Sequence, residues 1–130
     1  MATRARVFRY DVAVDAAGGL AIPDGTTIAP AAGWTPDHLL LAALVRCSIE
    51  SLAYHARRAV LAVTASGEAH GEVTQRPEDG RYAFVAISVR IRVGLEAAVD
   101  DVQDLFQKAE RDCFVGASLT VKPTYEWVVT

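Results

Sequence analysis

The sequence predicts an α+β fold, on three observations: a long stretch without glycine or proline that reads as one helix, two strand-like stretches joined by a Pro-Glu-Asp-Gly turn, and a second amphipathic helix followed by a final strand. The long stretch begins at Trp34-Thr35-Pro36-Asp37. Thr35 suits the N-cap, Pro36 the first helical position, and Asp37 the positive end of the helix dipole. From there the helix is predicted to run to about residue 60, with Cys47 near its middle. Its first half is apolar on every side, which predicts burial all round, and its second half turns amphipathic with Glu50, His55, Arg57 and Arg58. Before it, residues 4–15 read as a strand entering a Gly18-Gly19 turn. Residues 20–34 read as a brief strand near Leu20–Ile22, a turn at Pro23-Asp24-Gly25 and a loop from Pro30 to Gly33.

After the long helix, residues 61–76 alternate small and polar types, and residues 81–95 place Ala83, Val85, Ile87, Val89, Ile91, Val93 and Leu95 on one face. Pro77 to Gly80 would join the two as a hairpin. Residues 99–111 predict a second helix with an apolar stripe of Val102, Leu105, Phe106 and Ala109. A short element, Cys113 to Leu119, and a strand, Val121 to Val129, complete the chain.

Size and composition narrow the function. One hundred and thirty residues suit a single domain, 1–130. A hydrophobic share of 52% is generous for that size and easier to hide against a second copy. The net charge is −3, and the eleven arginines are scattered rather than clustered, which disfavours nucleic acid as a partner. No signal-peptide pattern opens the chain, and the apolar run Leu39 to Val45 is too short to span a bilayer. A cytoplasmic protein with no membrane partner is the expectation. In that compartment two cysteines read as catalytic, redox-sensing or buried rather than as a permanent staple. With two thiols and three scattered histidines, no metal site is expected.

Taken alone, a cysteine in an apolar helix is usually a small buried hydrophobe. Cys113 differs: it follows Glu110-Arg111-Asp112 and precedes a Gly-Ala-Ser stretch that permits close approach, with Arg111 able to favour a thiolate and the two carboxylates opposing it. Asp37 has an equally plain reading as a helix-dipole partner. His55 reads as a surface residue, His38 and His70 stand without a cluster, and Glu50 reads as a solvated or paired carboxylate. Trp34, Tyr82, Phe84 and Phe114 read as core or interface.

The stretch Trp34-Thr35-Pro36-Asp37-His38-Leu39-Leu40-Leu41-Ala42-Ala43-Leu44-Val45-Arg46-Cys47 resembles the signature of the OsmC/Ohr family (osmotically induced protein C and organic hydroperoxide resistance proteins), in which a proline-acid pair starts the central helix ten residues before a reactive cysteine. Ala109-Glu110-Arg111-Asp112-Cys113-Phe114-Val115-Gly116-Ala117-Ser118-Leu119 resembles the segment carrying that family's second cysteine. The resemblance covers nearly the whole chain. It implies an antiparallel sheet packed on a long central helix, an intertwined homodimer, and a thiol-dependent peroxidase. In that scheme Cys47 attacks an organic hydroperoxide, Cys113 resolves the sulfenic acid as a disulfide, and an external dithiol reductant restores both, with no metal or flavin cofactor.

Two positions depart from the family pattern. The acid is Asp37 instead of glutamate, and no arginine lies between Tyr10 and Val45, where the family places the one that activates the thiolate; Arg4, Arg6 and Arg9 are the N-terminal candidates. On one straight helix, Asp37 and Cys47 lie about 15 Å apart. An acid reaching Cys47 would then come from a second subunit across a two-fold axis. A redox sensor, or a binder of a small apolar or electrophilic ligand on the same fold, remains open beside the enzyme.

Overall fold

The computed structural model describes residues 5–96 and 100–130. The chain divides between Thr35 and Pro36 into two compact units. The N-terminal unit is a small antiparallel meander of β1 (Ala13–Val14), β2 (Leu20–Ala21) and β3 (Thr27–Ile28), in that spatial order. Aspartates build its two turns. Asp15 accepts hydrogen bonds from the amides of Ala17 and Gly19, and Asp24 accepts from the amide and hydroxyl of Thr26. Gly18 and Gly25 take the left-handed φ values these turns need, 88° and 91°. The strand expected over residues 4–15 is therefore much shorter: residues 5–12 carry no strand, and Val7, Phe8, Tyr10 and Val12 stand exposed. Such residues favour a strand only where a pleated, half-buried surface receives them.

The C-terminal unit opens with α1 (Pro36–Arg58), within two residues of its predicted end. It ends in a Schellman motif, in which the Leu61 amide donates to the Ala56 carbonyl and the Val60 amide to that of Arg57. Expected burial on every side is not what the helix shows. Leu44, Ser48, Leu52 and Ala56 form one buried stripe at four-residue spacing, while Ala42 and Ala43 are exposed. One stripe is what a helix lying on one layer of neighbours buries. By length and composition α1 would pass for a membrane span, with a mean hydropathy of 1.3. Its buried stripe belongs to the core instead, with Leu44 and Leu52 in the main cluster.

That core lies against a sheet of β4 (Val63–Gln75), β5 (Tyr82–Leu95) and β6 (Thr124–Val129), with β5 central. β4 and β5 form the expected hairpin, whose turn is clamped by the Arg76 guanidinium on both oxygens of Asp79. β6 runs parallel to β5, so the sheet is mixed rather than purely antiparallel. The intervening α2 (Val102–Arg111) and α3 (Phe114–Ala117) supply the crossover that a parallel return requires. The start predicted for α2, residue 99, lies outside the described residues; within them, Asp101 caps the helix by accepting from the Asp104 amide.

A bulge corrects the predicted inward face of β5. Glu72 pairs with Ala86 and Val73 with Phe84, so Val85 is the extra residue. Beyond it the alternation flips: Phe84 packs against the core cluster and Val85 is exposed. Ile87, Val89, Ile91 and Val93 remain buried as predicted, joined by Leu105, Phe106 and Ala109 of α2. The facing residues of β4 are Ala65, Gly67, Ala69 and Gly71, small enough for α1 to approach closely. A Cβ at Gly67 would meet the Arg90 carbonyl oxygen at 2.6 Å and Val45 Cγ1 at 3.3 Å.

Candidate active site around two cysteines

Cys47 projects from the middle of α1, and Cys113 forms the N-cap of α3. The fold brings these thiols, 66 positions apart in sequence, close enough to influence one another. Both are free thiols; Cys113 is 0% exposed and Cys47 is half-buried. Burial thus separates an accessible sulfur from an enclosed one. The amides of Val115 and Phe114 donate toward the Cys47 sulfur and favour its thiolate. Burial outweighs them, reinforced by Cys113, and pushes the Cys47 thiol up.

Behind Cys113 lies a small polar network. Its sulfur accepts from the Gly116 amide at 3.4 Å and lies 3.6 Å from Ser48 Oγ. Ser48 is fully buried, donates to the Leu44 carbonyl at 2.8 Å and lies 3.0 Å from the Tyr125 hydroxyl. Tyr125 comes from β6, its ring stacked 5.8 Å from Trp127, which in turn stacks on Phe106 at 4.7 Å. Burial first, and then the neighbouring Cys113, push the Tyr125 hydroxyl up to about 12, against the Ser48 hydrogen bond. Neither Ser48 nor Tyr125 stands out in the sequence. The one usable signal is that Ser48 falls four residues from Leu44 and from Leu52, in the apolar stripe, where a hydroxyl needs a partner.

The remaining candidates fall elsewhere. Asp37 is exposed in the first turn of α1, and the unbroken helix keeps it ten residues from Cys47. Arg111 is turned onto Asp112, with two contacts of 2.9 Å, rather than onto a sulfur. Arg46 pairs with Glu50 at 3.4 Å on the exposed side of α1. His55 corrects its surface reading: its side chain is 11% exposed and its Nε2 lies 2.7 Å from Asp112 Oδ2. Arg111 first, and His55 after it, hold the Asp112 carboxyl down at about 2. Trp34, Tyr82 and Phe114, read as core or interface, are exposed in the chain. Among the described residues no group of three or more histidines, cysteines or carboxylates is arranged to hold a metal ion.

A half-exposed thiol facing a buried one, with backbone amides aimed at the first, is an arrangement suited to reversible thiol–disulfide chemistry. The sequence model of the OsmC-like protein family matches residues 29–128. The chain belongs to the OsmC-like family. No curated protein matches it by sequence. An OsmC-like protein from Mycoplasma pneumoniae shares its fold with a TM-score of 0.77, at 16% identity over 95% of this chain and 98% of that one. The organic hydroperoxide resistance protein OhrB of Bacillus subtilis is similar with a TM-score of 0.62, at 17% identity over 95% and 98%. An OsmC-like protein of unknown function from Vibrio cholerae gives 0.75, at 16% identity over 86% and 84%. At these identities the likeness is one of fold, so the chemistry of this OsmC-like chain rests on its own two sulfurs.

Proposed function

We propose that this OsmC-like protein is a thiol-dependent peroxidase that reduces organic hydroperoxides in the cytoplasm as a homodimer. The observation that carries the reading is the proximity of Cys47 and Cys113 across 66 positions, the first half-buried and the second fully enclosed. The Cys47 thiolate attacks the distal peroxide oxygen; the O–O bond breaks, the alcohol leaves with a proton, and Cys47 becomes a sulfenic acid. Cys113 then attacks the Cys47 sulfur, the S–O bond breaks and water leaves. An external dithiol reduces the resulting disulfide, so no bound metal or flavin is required. Asp37, remote from Cys47 on its own helix, serves Cys47 of the second copy in this reading.

A second reading, a thiol redox sensor with negligible turnover, is favoured by one feature: burial holds the Cys47 thiol above its ordinary range. A thiol in that state reacts slowly unless a cation is supplied. Consumption of cumene hydroperoxide with dithiothreitol separates the two. Continuous turnover that Cys47→Ser abolishes supports the peroxidase. A single stoichiometric oxidation to the disulfide supports the sensor, and no thiol oxidation at all refutes both.

A further inference from the structure

Cys113 carries a demand that its surroundings answer in detail. In either direction of the disulfide chemistry its sulfur bears negative charge, first as the attacking group and later as the group displaced by the reductant. It does so at a position with no solvent exposure, where an uncompensated charge is costly. Among the described residues, neutral donors surround this sulfur. The Gly116 amide points at it from 3.4 Å, Ser48 Oγ lies 3.6 Å away, and the Tyr125 hydroxyl, 3.0 Å from that Ser48 oxygen, lies close enough to the sulfur for the two to interact.

We propose that Ser48 and Tyr125 are positioning residues for the second cysteine, completing with the Gly116 amide a donor cage that holds charge on the Cys113 sulfur as it attacks Cys47 and as it leaves. This rests on Cys113 exchanging its bond with Cys47, whichever oxidant starts the cycle.

The proton count supports the cage. In the reduced state the single Ser48 proton goes to the Leu44 carbonyl, so the Ser48 oxygen accepts, and the Tyr125 hydroxyl donates to it across 3.0 Å. Its second lone pair takes the Cys113 S–H. When the sulfur loses its proton that donor disappears, and both hydroxyls turn about their C–O bonds to donate to the sulfur. During resolution the thiol proton ends on the hydroxide displaced from Cys47, giving water. During reduction a dithiol thiolate bonds to Cys47 and Cys113 departs as thiolate; the second thiol then closes the reductant's own disulfide, breaking its bond to Cys47 and releasing Cys47 as thiolate. Tyr125 is suited to donate throughout, because its hydroxyl is pushed up to about 12 and keeps its proton. The ionisable groups around the site are Cys47 on α1, Glu110 and Asp112 at the end of α2, and Tyr125 on β6; Glu110 is occupied by the Trp127 indole at 2.8 Å and Asp112 by Arg111 and His55. Gly116 leaves the space required, since a Cβ there would stand 3.3 Å from the Tyr125 oxygen and 3.5 Å from the Cys113 sulfur.

The test uses Tyr125→Phe, which keeps the ring stacked on Trp127, and Ser48→Ala. One arm needs no peroxide: the disulfide is formed with diamide and its reduction by dithiothreitol is timed. Loss of one hydrogen bond to a charged group slows this step about tenfold in Tyr125→Phe and further in the double variant. In the second arm one equivalent of cumene hydroperoxide is added and the Cys47 sulfenic acid is trapped with dimedone. The variants accumulate the trapped form while consuming the first equivalent at a rate within about twofold of the wild type. Reduction at the wild-type rate overturns the proposal, as does equal slowing of both steps, which marks a merely structural role. A wild type that forms no sulfenic acid refutes the peroxidase reading and leaves the diamide arm to decide this one.

Discussion

Val60 is a local misfit. It is 92% exposed and takes φ 57° at the position of the Schellman motif where glycine usually stands. A β-branched residue there costs roughly 1–2 kcal/mol against the right-handed default. Its side chain gains almost no burial in return. Val60→Gly therefore raises stability by about 1 kcal/mol after the added freedom of the unfolded chain is counted. Urea midpoints check this, and an unchanged or lower midpoint contradicts it. Asp112 shows the opposite kind of residue, one whose charge the fold uses. Its carboxyl is held down at about 2 by Arg111 and His55, from an ordinary value of 3.8. A depressed carboxyl stabilises the folded state above its unfolded value, and that contribution is lost as pH falls through the folded one. Thermal midpoints of the wild type should fall between about pH 4 and pH 2, and Asp112→Asn should flatten part of that slope. Asp79, held at about 2 by Arg76, supplies some of the remainder. Partial exposure of the Asp112 side chain, 39%, keeps the effect modest.

At the scale of elements, the spacing between α1 and the sheet is set by absent side chains. Gly67→Ala puts a Cβ 2.6 Å from the carbonyl oxygen of Arg90, a backbone atom fixed by the β4–β5 ladder. Strand or helix has to shift, at a cost of about 1–3 kcal/mol. At Gly94 the nearest atom, also at 2.6 Å, is the Thr64 hydroxyl, the end of a side chain that can rotate. Gly94→Ala is expected to cost clearly less, and equal losses in the two variants would show that the ladder yields. These elements differ in how plainly the sequence announces them. α1 is legible because Thr35-Pro36-Asp37 marks its start and nothing interrupts it for two dozen residues. The β5 bulge is not, because Ala83-Phe84-Val85-Ala86 is apolar on both faces and fits either phase, and the break comes from the partner register at Glu72 and Val73. The parallel seat of β6 is equally hidden, since a strand's own pattern says nothing of its direction beside a distant neighbour. Cys47 and Cys113 were legible by their motifs, whereas Ser48 and Tyr125 acquire meaning only when α1 and β6 meet.

The molecule as a whole carries exposed apolar surface in both of its units. Val7, Phe8, Tyr10, Val12 and Val14 in the N-terminal unit are exposed, as are Trp34 and the small residues Ala42 and Ala43 along α1. Isolated exposed apolar residues are ordinary, but exposed ones at alternate positions from 8 to 14 have the pattern of one apolar face of an extended segment. In the proposed homodimer a second copy would cover that face, and its Asp37 would serve the Cys47 that Asp37 cannot attain along its own helix. The two expectations are independent, one of burial and one of catalysis, and the proposed association would meet both. If so, folding and association are linked, and the thermal midpoint rises with protein concentration, by the mass-action dependence of any dimer that unfolds to monomers. Sedimentation at micromolar concentration should give twice the 13.9 kDa of the chain. Tyr10→Glu with Val12→Glu should yield a lighter species with a lower midpoint and slower peroxide turnover. A monomeric wild type with a concentration-independent midpoint and undiminished turnover would leave Cys47 to be activated by groups of its own chain.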